Sequence, residues 1–213
     1  MKVEMIDLMG DDKTVVNSAR VSFANVVDEF GPRDKKLLAY LARHDHWTPL
    51  AHVQAQFRIS APVFVARQLV KHQVGMCWNE QSRRYIDFLP EYHWPKLWRK
   101  KADNKKQGSS DVVFVGDEHT RFQEKYADLV TQAEAIYDNM IASGVAPEQA
   151  RMVLPQSMMT EWIWTGSLVA FARVVKLRSS DDAQFECREI AKMIDDEFKR
   201  CPQLKYSWSE LCR

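Results

Sequence analysis

The sequence predicts a single α+β domain with more helix than strand, on three observations. Residues 53–59 alternate cleanly, with Val53, Ala55, Phe57 and Ile59 on one side and Gln54, Gln56 and Arg58 on the other, the period of a half-buried strand. Apolar residues recur at helical spacing over two longer stretches, Phe122 to Ile141 and Ala183 to Phe198. The 213 residues are 46% hydrophobic and 28% charged with only 7 Gly and 8 Pro, which supplies one real core and excludes disordered, collagen-like and low-complexity classes. No boundary divides the chain, so 1–213 is read as one domain.

Taken in order, Val3, Met5 and Ile6 predict a short opening strand, and Asp11-Asp12 a helix start followed by Val15, Val16 and Ala19. Pro32 suits a first helical position, with Leu37, Leu38 and Leu41 behind it. After the alternating strand, Pro62 opens a helix whose apolar stripe is Val63, Ala66 and Val70. Arg67 with Lys71, and Gln68 with His72, are spaced i, i+4 on its polar faces. This helix runs to Gly75 and then into a polar cluster, Asn79 to Tyr85.

Residues 93–110 hold Lys96, Arg99, Lys100, Lys101, Lys105 and Lys106 against Asp103 alone and end in Gly108-Ser109-Ser110, which predicts an exposed basic insertion. The long helix that follows keeps Phe122, Tyr126, Val130, Ala133 and Tyr137 on one face and stops at Gly144. Pro147 starts a short helix that ends before Pro155. Ser157 to Trp164 fits strand or helix equally, and the stripe from Ala183 to Phe198 is expected to be the last helix.

Charge and cysteine usage narrow the function. With 30 basic and 29 acidic residues the formal net charge is +1, too balanced for a general polyanion binder. Cys77, Cys187, Cys201 and Cys212 form no C-x-x-C pair, the pattern of free thiols in the cytoplasm. The first residues are too acidic for a signal peptide, and no apolar run approaches the roughly 18 residues of a membrane span. His44, His46 and His52 lie close together, but no cysteine or carboxylate spacing completes a metal site, so no metal is expected. Glycine-rich nucleotide loops and the common zinc and serine-hydrolase motifs are absent.

Three segments stand out as chemistry. From Arg67 to Tyr85 the chain gathers Arg67, Lys71, His72, Glu80, Arg83 and Arg84 among several amides. This is either a solvated face or an anion site. The core sequence on both sides favours the anion, and Ser82-Arg83-Arg84 offers the hydroxyl and guanidinium forks that suit a phosphate. From Lys176 to Glu186, Arg178 ends an apolar helical stretch and Asp181-Asp182 reads as the cap of the next helix. An arginine at such a junction is either part of a routine turn or projects into a cleft to hold a negative oxygen. From Ala150 to Pro155, Arg151 sits in apolar sequence and needs a partner, in an ion pair or a ligand.

These segments, with SARVSF (18–23), HWTPLAH (46–52), APVFVARQ, NE-x-SRRY, ARMVLP and LR-x-x-x-x-AQ-x-E (177–186), resemble the flavin-dependent thymidylate synthases, the ThyX family, in the family's order and over most of the chain. The resemblance implies a mixed sheet flanked by helices and a homotetramer with sites shared between subunits. It also implies FAD, with NADPH and methylenetetrahydrofolate as co-substrates, and conversion of dUMP to dTMP without a cysteine nucleophile. Carried over, Ser82, Arg83 and Arg84 match the dUMP phosphate loop, and Gln68, Lys71, Gln81 and Arg151 further nucleotide contacts. Arg178 matches the catalytic arginine that stabilises the uracil anion. Ser22, Thr48, His72 and Glu80 match flavin positions, and His46 a histidine between flavin and folate.

The sequence departs from the family's R-H-R signature. Here it reads Lys71-His72-Gln73, followed by eight residues rather than seven before Ser82, with the extra residue assigned to Gly75. Ser167 and Arg173 stand where the family has asparagines on the flavin, and Asp182 where it has a histidine. Two other outcomes are therefore weighed. One keeps the fold but hydroxymethylates dUMP or uses another pyrimidine nucleotide. The other is a single-stranded nucleic-acid binder using Lys96 to Lys106 with Trp94 and Trp98 as stacking platforms, against which the near-zero net charge counts.

Overall fold

The computed structural model describes residues 1–86, 88–103 and 108–213. The elements in chain order are β1 (Lys2–Met9), α1 (Asp12–Arg20), α2 (Pro32–Arg43), α3 (Trp47–Leu50), β2 (Gln54–Pro62), α4 (Val63–Leu69), β3 (Met76–Glu80), β4 (Arg99–Lys101) and β5 (Ser109–Val113). There follow α5 (Gly116–Ala142), α6 (Pro147–Ala150), β6 (Met159–Ser167), α7 (Leu168–Arg178), α8 (Phe185–Lys199) and α9 (Lys205–Leu211). Short 3-10 turns cover Val21–Phe23, Arg151–Val153 and Pro202–Leu204.

A four-stranded sheet in the order β1-β2-β6-β3 carries the core, and β4 with β5 forms a separate hairpin. The alternation in β2 places Phe57 opposite Trp164 and Ile59 opposite Trp162 on β6, all four buried. Phe171 of α7 and Phe198 of α8 close over them, with ring centroids 4.8 and 5.4 Å from Phe57. Each such side chain contributes roughly 1.5–3 kcal/mol by leaving water. Asp11 caps α1 by accepting from the Thr14 amide at 2.6 Å, while its own N–H donates to the Thr14 hydroxyl at 3.1 Å. The buried Asp12 carboxylate accepts from the amides of Tyr206 and Ser207 and so ties α1 to α9.

The structure corrects several expectations within the α+β class. Every strand pairing in the larger sheet is antiparallel, where a mixed sheet was expected. Ser157 to Trp164 resolves to strand because β6 pairs with β2 along its whole length. β3 was not anticipated: as an edge strand it exposes Cys77, Asn79 and Glu80, and its pairing depends on Trp78 stacking on Trp162 at 4.4 Å, which no local pattern announces. α4 stops at Leu69, and its buried face is Val65, Ala66 and Leu69 rather than Val63, Ala66 and Val70. α9 follows the helix expected to be last. Gln184, not Asp182, occupies the cap position of α8, with no side-chain cap bond.

The stretch 93–110 is docked at both ends of its described part. Trp94 and Trp98 pack edge-on against Tyr126 of α5 at 5.0 and 5.8 Å, and Trp98 also meets Phe122. Arg99 pairs with the buried Glu186 at 2.5 Å, while Lys96, Lys100 and Lys101 are exposed. Lys105 and Lys106 lie outside the described residues.

Candidate active site

Two groups of polar side chains form at opposite ends of α4. The first gathers around Arg178. Apolar packing holds α7 against the sheet up to its last turn, where Arg178 emerges half-buried. The loop after α4 lies along α7. Gly75 has φ +73°, and a Cβ there would stand 3.2 Å from the Ser167 hydroxyl and 3.4 Å from the Ala170 methyl, so only glycine fits this approach without strain. His72, three residues earlier, meets the other end of α7: Arg178 Nε donates to His72 Nε2 at 3.0 Å, and Arg178 Nη2 to the Gln68 carbonyl at 3.2 Å.

Burial, with the Arg178 charge added, holds the His72 pKa below the usual histidine value. His72 is therefore neutral at pH 7, and with Nε2 accepting, its proton sits on Nδ1. The Gln68 side chain is equally committed. Its Nε2 donates to Gln184 Oε1, and its Oε1 accepts from the Cys187 thiol at 3.3 Å. Burial pushes that thiol up to about 11, with Arg178 pulling down and Glu186 pushing up, so Cys187 is a donor and not a nucleophile. Gln184 Nε2 in turn donates to Glu186 Oε2 at 2.9 Å.

The second group lines a cleft of about 260 Å³ where α4 begins: Val63, Glu80, Gln81, Arg83, Arg151 and Thr160 are among its walls. β3 and β6 position it, since the Gln81 amide donates to the Glu161 carbonyl at 2.8 Å and the Thr160 hydroxyl to Glu80 Oε1 at 2.9 Å. Trp78 Nε1 holds the other Glu80 oxygen at 3.1 Å. Arg83 is only 6% exposed, donates to the Phe88 carbonyl and stacks over the Phe88 ring. It braces the turn through Nη1 while lining the cleft. Arg84 is exposed, with its Nε on the Ser82 hydroxyl at 3.3 Å. Arg151 is exposed too, its guanidinium bonded among the described residues by a long 3.4 Å contact to the Glu148 carbonyl. Among the described residues no hydrogen bond links the two groups, while Met159 lines both the second group's cleft and the neighbouring cleft that Glu186 borders.

The donor set can be tested against a flavin dinucleotide. Lys71 and Arg173 are exposed and carry no ion pair or hydrogen bond among the described residues, which leaves two cations for a diphosphate. Gln73 is an exposed amide beside them in the loop, and His72 offers its Nδ1–H. Ser22 and Thr48 are exposed hydroxyls on the turn after α1 and on α3, and α3 packs against both α1 and α7. His46, exposed, lies 5.6 Å from the Tyr40 ring. These residues fit the group. The Ser167 hydroxyl is buried and caps α7 by accepting from Ala170 N–H at 3.3 Å. Asp182 is exposed in the α7–α8 turn, where its amide meets the Ser180 hydroxyl. Among the described residues no cluster of metal-ligating side chains occurs, and no helix is long and apolar enough to cross a membrane.

Sequence reasoning passed over Gln184, Glu186, Cys187 and Arg99 as site residues. Gln184 and Glu186 were visible as the AQ-x-E motif; their spacing gave no sign that Gln184 turns toward Gln68, because that contact spans more than a hundred residues of chain.

Comparison with known proteins supplies a context. Residues 4–202 match the family model described as thymidylate synthase complementing protein. A flavin-dependent thymidylate synthase of Kosmotoga olearia is 37% identical over 206 residues, covering 94% of this chain and 86% of that protein. One from Thermus thermophilus is 36% identical over 197 residues, covering 92% and 71%. Among solved structures, the UMP/dUMP methylase PolB from Streptomyces cacaoi bound with 5-Br dUMP superposes with a TM-score of 0.87 at 26% identity, over 98% of this chain and 93% of that one.

Proposed function

The chain belongs to the thymidylate synthase complementing protein family, and we propose that it is a flavin-dependent thymidylate synthase, converting dUMP to dTMP in the cytoplasm. The observation that carries this reading is the Arg178 cluster: a guanidinium held by a neutral histidine and a backbone carbonyl, beside an amide pinned on both of its atoms. FAD is the cofactor, with NADPH as reductant and methylenetetrahydrofolate as carbon source; when bound, the flavin supplies the redox chemistry and the one-carbon relay.

The chain's own residues position and polarise. Arg178 places a permanent cation where negative charge grows on the uracil ring, and His72 orients it without competing for charge. Gln68 contacts the pyrimidine. Ser82 and Arg84 take the phosphate, with Gln81 and Arg151 beside them, and Arg83 stiffens their turn. Lys71, Gln73 and Arg173 hold the flavin diphosphate, with Ser22, His46, Thr48, His72 and Glu80 along the cofactor. A site needs both groups, and the absence of a hydrogen bond between them among the described residues supports a homotetramer whose sites combine the Arg178 group of one subunit with the Ser82–Arg84 turn and Arg151 of another.

The test is product formation. Purified protein given FAD, NADPH, labelled methylenetetrahydrofolate and dUMP should yield labelled dTMP. Hydroxymethyl-dUMP as the end product, or no turnover with flavin bound, contradicts the reading. A second reading, that UMP also serves as acceptor, is favoured by the likeness to a UMP/dUMP methylase; parallel assays with UMP decide it.

A further inference from the structure

We infer that Glu186, acting through Gln184, fixes which way round the Gln68 amide faces and thereby selects uracil over cytosine nucleotides. The inference rests on the reading of Gln68 as a pyrimidine contact. An amide side chain has two nearly isosteric orientations, and its neighbours decide between them. Glu186 is 6% exposed, and Arg99 occupies its Oε1 at 2.5 Å. Burial alone would raise the Glu186 pKa; the bonds from Arg99, its own backbone and Gln184 outweigh it and hold the group below the ordinary carboxylate value. Glu186 is therefore an acceptor only.

The rest follows by donor and acceptor matching. The Gln184 atom facing Glu186 Oε2 must be the NH2, so Gln184 turns its oxygen to Gln68. Gln68 must then turn its NH2 to Gln184, leaving its oxygen for the Cys187 thiol. Every donor in the chain of contacts points toward one carboxylate, and Arg99 on β4 anchors the far end, bracing itself on the Ser109 hydroxyl of β5 at 2.8 Å. So fixed, Gln68 keeps one oxygen lone pair and one N–H, the latter engaged among the described residues by a 3.5 Å contact to the Phe64 carbonyl. Uracil shows an N3–H donor beside the O4 acceptor, and cytosine an N3 acceptor beside the N4 donor. One amide orientation matches one base, and the reverse orientation matches the other. An amide free to turn would serve both.

The inference makes Glu186 and Gln184 positioning residues, and it assigns the hairpin a task in specificity. In Glu186→Gln, donor-only Arg99 takes the new amide oxygen. The new NH2 then faces Gln184, which must reverse, and Gln68 reverses with it. The experiment is equilibrium binding of dUMP and dCMP to the FAD-loaded protein, with melting temperatures alongside. Wild type should prefer dUMP. Glu186→Gln should lose at least about tenfold of that preference, with dCMP binding tightened, since mispaired buried polar groups are what reject an analogue. Gln184→Met, which cuts the relay, should lose preference without tightening dCMP, and it carries the test if Glu186→Gln does not fold. Folded variants that keep the wild-type ratio, or that weaken both nucleotides equally, overturn the inference. A wild-type protein that binds FAD but not dUMP overturns the reading of the site, and the inference with it.

Discussion

The Arg178 group and the Ser82–Arg84 turn, proposed above to serve one anionic nucleotide, offer similar chemistry in guanidinium and hydrogen-bonding donors, and they are built in opposite ways. Arg178 is half-buried, with Nε and Nη2 both engaged by named acceptors. Arg84 is exposed, touching among the described residues the Ser82 hydroxyl and the Tyr85 ring at 5.0 Å. Charge that develops during a reaction is stabilised by donors already aligned, which cost no reorganisation at that moment. A phosphate carries the same charge throughout, so its donors can be gathered as the ligand arrives. The contrast predicts that one region governs rate and the other affinity.

The largest effect is expected at Arg178. Arg178→Ala should slow single-turnover oxidation of reduced flavin, at saturating dUMP and methylenetetrahydrofolate, by about 10²–10³-fold, the scale of one lost preorganised contact. Arg178→Lys should rescue poorly, because a point charge cannot reach both the His72 nitrogen and the Gln68 carbonyl. If Arg178→Ala loses only nucleotide affinity, the two regions do not differ in kind. Next, Arg84→Ala should weaken dUMP binding by about 1.5–3 kcal/mol, the worth of a hydrogen bond to a charged group, with the rate at saturation nearly unchanged. Calorimetric titration beside the rate assay reads both.

A smaller effect concerns pH. His72 has its folded pKa lowered, so the folded form resists protonation. Its contribution to stability is present above the usual value of 6.5 and is lost as pH falls below it toward the folded value. Protonated His72 cannot accept from Arg178. The single-turnover rate should therefore hold from pH 8 to about 6.5 and decline below, as its acceptor is titrated away. His72→Gln, with a neutral acceptor that does not titrate, should flatten that decline; an unchanged acid limb would remove His72 from the account. Smallest of all, Arg173→Ala should weaken FAD only a few-fold, since an exposed cation is well screened. The FAD-induced rise in melting temperature measures it.

How much of this was legible beforehand follows from the range of each interaction. The Val53–Ile59 alternation and the Asp11 cap are local, and both stand in the structure. β3 was hidden because its pairing is secured by Trp78 against Trp162, far along the chain. The basic stretch looked like an insertion on composition, yet Arg99 finds Glu186 and Trp98 finds α5, contacts that sequence cannot announce. In the site, Arg178 and His72 were each singled out, but their mutual hydrogen bond was not. Arg83 looked interchangeable with Arg84 until the Phe88 carbonyl and ring claimed it. Motif chemistry was legible; the orientation of amides and guanidinium groups, which needs partners remote in sequence, was not.

In the proposed tetramer each chain carries two half-sites that assembly joins. Mixing, unfolding and co-refolding Arg178→Ala and Arg84→Ala, at a dUMP concentration where each alone is nearly silent, tests it most directly. If a site takes Arg178 from one subunit and Arg84 from another, random assembly restores both to about a quarter of the sites, and activity should return toward that fraction of wild type. If both residues serve the same nucleotide from a single chain, no mixed site contains the pair and the mixture stays as silent as its parts.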